Sequence, residues 1–201
     1  MKTYSAIDSE ADFSDKIVLH YTGSMFGIGT FISNTTLINK ISLIKCRTSS
    51  KGFVVLLGSI NEMGANMLST TKRVRKLLRH FWPGELTVLL KYRSKIFERV
   101  QKNSYIGVRV PSDELLRSLI SEYKTPFLSS SVNLTGRAPE TSLKKILKQF
   151  PSWFDCALIP EGIEKADSVP STNVKVDKNK LSLIREGSIP FKDILGVFED
   201  L

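Results

Sequence analysis

The residues of this chain best suited to chemistry are five cations, Lys45, Arg47, Lys51, Arg109 and Arg185, and four hydroxyl or amide groups, Thr22, Ser131, Asn133 and Ser171. Fixed positive charge beside neutral hydrogen-bonding groups suits phosphoryl or adenylyl transfer. There a protein mainly positions reactants and neutralises the charge growing on phosphate oxygens. Taken singly, each arginine reads as a surface residue. Four short segments stand out: Lys45-Cys46-Arg47, Trp82-Pro83-Gly84, Ser131-Val132-Asn133 and Pro170-Ser171-Thr172. They lie far apart in the chain, so side chains from its whole length must be gathered into one large cleft.

Other chemistries find no support. GxxxxGK[ST], whose amides and lysine wrap phosphates, is missing from the sequence, which excludes a P-loop NTPase. Gly27-Ile28-Gly29 follows a strand as a dinucleotide fingerprint would, but Ile32 occupies the third glycine position, and a glycine-rich turn is the simpler meaning. HExxH, GxSxG and DxDxDG patterns do not occur. His20 and His80 are the only imidazoles and read as structural, so zinc hydrolysis and a Ser-His-Asp triad are unsupported and no metal ligands are assigned. Cys46 and Cys156, without a CxxC pair, read as reduced thiols.

The 201 residues, 41% of them apolar, suffice for one good core, and a single domain over 1–201 is expected. A net charge of +9 favours anionic partners such as nucleotides or RNA. Met1 to Phe13 lacks the basic and then apolar regions of a signal peptide. The longest clear apolar run, Phe53 to Leu57, is far too short to cross a bilayer. No membrane association and a cytoplasmic location are expected. The sequon Asn133-Leu134-Thr135 then has no physical meaning.

Periodicity supplies the elements that must position these residues. Ile17 to Tyr21 reads as a strand, followed by a glycine- and hydroxyl-rich binding loop from Thr22 to Thr30. Leu37, Ile38, Ile41 and Ile44 mark one face of a helix over Thr35 to Lys45, which delivers Lys45 and Arg47 at its end. Phe53 to Leu57 suits a buried strand. Thr70 to Phe81 suits an amphipathic helix with Val74, Leu77, Leu78 and Phe81 inward and a basic, solvated face. Further strands are expected at 86–92, 105–110, 126–129, 157–159, 172–176 and 181–185, and helices at 112–123, 141–150 and 191–199. This alternation argues for an α/β or α+β fold with a twisted mixed sheet. In Trp82-Pro83-Gly84, proline ends the preceding helix, glycine permits a sharp turn into the strand and tryptophan packs. Ser131 and Asn133 alternate around Val132 and point to one side of an extended segment; without the other segments they would read as a turn held by side-chain hydrogen bonds.

Read together, these segments resemble the YrdC family of threonylcarbamoyl-AMP synthases, in its short single-domain form similar to bacterial TsaC. The resemblance covers nearly the whole chain: Thr22 to Gly29, Lys45-Cys46-Arg47 with Lys51-Gly52, Phe81 to Thr87, Gly107 to Pro111, Ser130 to Gly136, Pro170-Ser171-Thr172 and Leu183 to Gly187. It implies a YrdC-like twisted mixed β-sheet with flanking helices and a large positively charged cleft. The implied activity is a nucleotidyltransferase that makes threonylcarbamoyl-AMP and diphosphate from L-threonine, bicarbonate and ATP. A divalent cation, magnesium, would be held mainly by the nucleotide, and the product would modify a tRNA adenosine beside the anticodon, with tRNA and the transfer machinery as partners. Carried over by residue, Lys45, Arg47, Lys51, Asn133 and Arg185 look like ATP contacts, Lys51 on the phosphates, with Lys45 and Arg47 as the catalytic residues. Thr22, Arg109, Ser131 and Ser171 look like threonine contacts, and Arg109 could hold the amino-acid carboxylate bidentately.

The sequence departs from that family at Tyr21-Thr22-Gly23-Ser24, where Pro-Thr and an acidic or polar residue are usual, and at Thr48-Ser49-Ser50 after Arg47. Two alternatives stay open: a catalytically altered protein whose positive cleft binds RNA, and an enzyme that activates a different carbamate.

Overall fold

A computed structural model describes residues 2–200 apart from 9, 47–52, 66–67, 69, 102–103 and 179. Among the described residues ten strands form one sheet: β1 (Lys2–Tyr4), β2 (Val18–Tyr21), β3 (Phe26–Phe31), β4 (Val54–Leu56), β5 (Leu86–Lys91), β6 (Tyr105–Arg109), β7 (Phe127–Ser131), β8 (Cys156–Leu158), β9 (Thr172–Asp177) and β10 (Lys180–Arg185). Their order is β1-β8-β2-β3-β7-β4-β6-β5-β9-β10. The sheet is mixed. β8 runs parallel to β1 and β2, β4 to β6, and β5 to β9, whereas the β2-β3-β7-β4 run and the β6-β5 and β9-β10 pairs are antiparallel.

The helices are α1 (Thr35–Ile44), α2 (Glu62–Ala65), α3 (Lys72–Phe81), α4 (Glu114–Tyr123), α5 (Leu143–Gln149) and α6 (Phe191–Glu199), with a 3-10 turn at Lys95–Arg99. Four start at side-chain caps that satisfy an otherwise unpaired helix N–H: Asn34, Thr71, Asp113 and Ser142 accept from Leu37, Val74, Leu116 and Lys145.

The two faces of the sheet are covered unequally. On one, Leu19, Ile28, Val55, Leu86, Val88, Val108, Leu128 and Val174 pack with apolar residues of α1, α3, α5 and α6. On the other, Val18, Phe31, Leu56 and Phe127 pack with Leu116, Leu119 and Ile120 of α4. Strand side chains alternate between faces, so burying Leu86, Val88, Val108 and Val174 sends Thr87, Arg109 and Asn173 to the other side. That side has one long helix for cover and keeps room for a cavity.

β3 corrects the expected loop at Thr22 to Thr30. Only the first part is a turn, closed by the Thr22 N–H donating to the Met25 carbonyl at 3.0 Å. Glycines suggested a turn, yet Gly27 and Gly29 sit inside a fully buried strand. A Cβ on Gly27 would stand 2.7 Å from Nε2 of His20, and one on Gly29 would stand 2.0 Å from the Leu128 carbonyl oxygen. The glycines are there for close approach, a known use of glycine inside strands. β1 also went unread, being three residues with no periodicity to signal it.

Among the described residues no helix is long and apolar enough to cross a membrane, and no group of three His, Cys, Asp or Glu side chains could hold a metal ion. Cys46 and Cys156 are free thiols. Burial pushes the Cys156 thiol up to about 11, which leaves it protonated and unreactive near neutrality.

Candidate functional site

A cavity of about 310 Å³ opens on the less covered face of the sheet. This volume is at the lower end of the roughly 300–1,000 Å³ typical of small-molecule sites. Its floor is Gly27 of β3, Ser129, Ser130 and Ser131 of β7, and Val54 and Leu56 of β4; its walls are Thr22 and Met25, Thr87 and Arg109, and Pro170, Ser171, Asn173 and Arg185. Seven strands and the Pro170-Ser171 segment thus meet there. Among the described residues the lining holds two guanidiniums and no carboxylate.

Arg109 is almost fully buried, and its charge is compensated by Glu85, the residue before β5. Its Nε donates to the Gly84 carbonyl at 2.8 Å and Nη2 to the Thr22 carbonyl at 3.2 Å. Nη2 also donates to Glu85, with which it forms a buried ion pair. Burial pulls the Arg109 pKa below its ordinary value while Glu85 opposes that. The other Glu85 oxygen accepts from the Ser24 hydroxyl at 2.6 Å, so one carboxylate ties the Thr22–Met25 turn to the guanidinium. With Nε and Nη2 occupied, the fully open two-nitrogen edge expected for gripping a carboxylate is reduced to the Nη1 side.

Thr22 spends its hydroxyl within its turn, donating to the Met25 carbonyl at 3.0 Å. Gly23 follows in the left-handed region, φ +98°, and a Cβ there would collide with Ser112. This accounts for glycine in the segment that departs from the family pattern.

Ser171 shares a hydrogen bond with Thr87 at 2.9 Å, joining the Pro170-Ser171 segment to β5. Arg185 reaches back from the end of β10 and donates to the Ser171 carbonyl at 2.9 Å. Ser131 and Asn133 do point to one side of the strand end, with Val132 buried between them. The Ser131 hydroxyl donates to Oδ1 of Asn133 at 2.7 Å, while Nδ2 of Asn133 donates to the Leu134 and Arg137 carbonyls at 2.9 and 2.8 Å. The pair is therefore also a turn held by side-chain bonds.

Lys45 follows α1 and is buried. Its ammonium donates to the Ser131 carbonyl at 2.8 Å, to Oδ1 of Asn133 at 3.0 Å and to the Asn133 carbonyl, and sits 5.4 Å from the centre of the Trp153 ring. Thr135 donates in return to the Lys45 carbonyl. Lys45 and Asn133 stand behind the strand end whose Ser131 lines the cavity, and are not among its lining residues. Arg47 and Lys51 lie outside the described residues.

Sequence reasoning missed Glu85, Thr87, Ser129 and Asn173. Thr87 and Asn173 had a signal, as polar residues at alternate positions of apolar strands. Glu85 had none, because its partner is 24 residues away in sequence.

His20 was read as structural and proves to be a fully buried imidazole against this site. Nδ1 lies 3.1 Å from the Val18 carbonyl and Nε2 2.9 Å from the Ser129 hydroxyl. Burial, aided by the charge of Arg109 and opposed by the Val18 hydrogen bond, pulls its pKa down to about 4. An unfolded histidine takes up its proton near about 6.5. Between these values the unfolded chain binds more protons, so stability is whole above about pH 6.5 and falls as the pH drops toward 4, by about 3 kcal/mol from this group. Urea unfolding at pH 7 and pH 4.5 should show that loss, and His20→Gln should flatten the part due to the imidazole.

The family model Sua5_yciO_yrdC, described as "Telomere recombination", matches residues 13–187. The chain belongs to the Sua5/YciO/YrdC family. A relative in Methanocaldococcus jannaschii, provisionally named threonylcarbamoyl-AMP synthase, is 30% identical over 180 residues, spanning 89% of this chain and 83% of that one. Threonylcarbamoyl-AMP synthase of Wigglesworthia glossinidia brevipalpis is 29% identical over 149 residues, 73% of this chain and 74% of that one. Among solved structures, P. abyssi Sua5 complexed with L-threonine superposes with a TM-score of 0.81 at 23% identity. That match covers 90% of this chain and 53% of the Sua5 chain, about half its length. E. coli YciO superposes with a TM-score of 0.78 at 22% identity, covering 89% of this chain and 86% of that one. At these identities the two structures speak to the Sua5/YciO/YrdC fold.

Proposed function

We propose that this chain is an L-threonylcarbamoyladenylate synthase, forming threonylcarbamoyl-AMP and diphosphate from L-threonine, bicarbonate and ATP. The observation that carries this reading is the cavity itself. It gathers Thr22, Arg109, Ser131, Ser171 and Arg185 from distant segments around a space whose lining, among the described residues, has two guanidiniums and no acid. Relatives named for this activity, similar over most of their length, support it.

In this reading the amino nitrogen of threonine first bonds to the carbon of bicarbonate, a C–O bond breaks and water leaves, giving a carbamate. Its carboxylate attacks the α-phosphorus of ATP, the bond to the β-phosphate oxygen breaks and diphosphate leaves. Arg109 faces the amino-acid carboxylate through its Nη1 side, with Ser131 and Ser171 alongside. Arg185, Arg47 and Lys51 offset charge on the phosphates, while Lys45 and Asn133 hold the strand end that presents Ser131. A site walled by seven strands limits the water that would destroy a free carbamate.

Magnesium does not find its usual partners in the protein, since the lining has no carboxylate among the described residues. The ion then arrives as part of the nucleotide substrate. One YrdC-like domain, a cytoplasmic setting and delivery of the product to tRNA complete the proposal.

Diphosphate release from ATP measured with threonine and bicarbonate added or omitted is the decisive experiment. Release is expected only when both are present. Release indifferent to threonine would overturn the reading. Release that prefers serine over threonine would favour a different carbamate, whereas absent turnover with steeply salt-dependent RNA binding would favour an RNA-binding module.

A further inference from the structure

We infer that His20, acting through Ser129, fixes the direction of a hydrogen bond inside the cavity, so that Ser129 presents an acceptor to the amino or β-hydroxyl group of the bound amino acid. The inference rests on the proposed reaction and adds a positioning residue and a specificity residue to it.

The geometry is set by the sheet. His20 on β2 pairs with Gly27 on β3, and Gly27 pairs with Ser131 on β7. Gly29 pairs with Ser129. The imidazole therefore crosses a whole strand, over two glycines, to reach a hydroxyl on the next one. A side chain at Gly27 would meet Nε2 of His20 at 2.7 Å and Oγ of Ser129 at 3.0 Å, and one at Gly29 would meet Cε1 of His20 at 3.1 Å. The two glycines provide a channel for this one ring, and Phe127 closes it edge-on at 5.2 Å.

Hydrogen-bond chemistry then decides direction. A carbonyl only accepts, so the contact to Val18 places the proton of a neutral ring on Nδ1 and leaves Nε2 as an acceptor. Full burial keeps the ring neutral near pH 7. The Ser129 hydroxyl has one hydrogen, and giving it to Nε2 leaves only lone pairs for the cavity that Ser129 lines. Carboxylates and phosphates offer lone pairs too, so they are the wrong partners. The donors on the proposed substrate nearest in kind are the amino and hydroxyl groups of the amino acid. Ser129 shares its strand face with Ser131, on the amino-acid side of the proposed arrangement.

Calorimetric titration of threonine into wild type, Ser129→Ala, His20→Leu and the double variant tests this, with the KM for ATP measured alongside. Loss of one such hydrogen bond should weaken threonine about tenfold in Ser129→Ala, several-fold in His20→Leu, and no further in the double variant, because both act on one bond. The KM for ATP should stay within about twofold, since the lost bond is not to the nucleotide. Threonine affinity unchanged in Ser129→Ala, or losses that multiply in the double variant, would overturn the inference. Should His20→Leu not fold, His20→Met fills the same channel without a strong acceptor. A wild type that binds another amino acid in place of threonine would sink the threonine assignment, and the same four-protein comparison with that amino acid would still decide the role of His20.

Discussion

Glu85→Ala should destabilise the fold by about 3 kcal/mol or more, because it strands a buried guanidinium without its counter-charge. The side chains of Arg109 and Glu85 are only 6% and 19% exposed, which removes the pair from the class of surface ion pairs that contribute little. The same carboxylate holds Ser24, so the Thr22–Met25 turn loses its tie to the residue leading into β5 as well. Urea unfolding of Glu85→Ala against Glu85→Leu/Arg109→Leu measures the effect. The double variant should be the more stable of the two, since removing both charges leaves nothing uncompensated. Equal stability of Glu85→Ala and wild type would show that water reaches Arg109 and the pair is not truly buried.

Lys45→Met should cost on the order of 10² in diphosphate release, the scale associated with losing an organised charge beside a developing one. Lys45 is 3% exposed, and its ammonium gathers the Ser131 carbonyl and both oxygens of Asn133. Removing it frees the 131–137 turn and takes a positive charge from behind the cavity floor. Lys45→Arg should not restore turnover, because a planar fork cannot replace a compact ammonium converging on three oxygens at one strand end. Near-normal release by Lys45→Met would make the residue a structural clamp alone. Arg47→Ala, assayed in parallel, should lose a similar factor if its guanidinium supports the transferring phosphate.

Elements with strong periodicity were legible from the residues alone. The Leu37-Ile38-Ile41 face of α1, the Val74-Leu77-Leu78 face of α3 and the Phe53–Leu57 run all emerge within a few residues of their expected bounds. β3 was obscured because glycine has two meanings, a turn or a close approach, and only the neighbouring His20 and Leu128 tell which applies. The site was legible to the extent that its residues belong to recognisable segments. Ser131, Ser171, Arg109 and Arg185 are drawn together by strand order, a property of pairings between positions up to 154 residues apart, as between Lys2 and Cys156. Glu85 and His20 were invisible as partners, because nothing local marks a carboxylate for a distant arginine or an imidazole for a distant serine.

The placement of β9 has a temporal consequence. β9 joins the sheet beside β5, and with it come Ser171, Asn173 and, through β10, Arg185. Chains emerge from the ribosome N-terminus first, so the strands carrying Ser129, Ser131 and Arg109 are synthesised well before that wall exists. A nascent chain ending before Pro170 has a floor exposed on one side and nothing to close it. Competence to hold a ligand thus waits until β9 and β10 have been made, and a chain interrupted before Pro170 lacks the wall that closes the site.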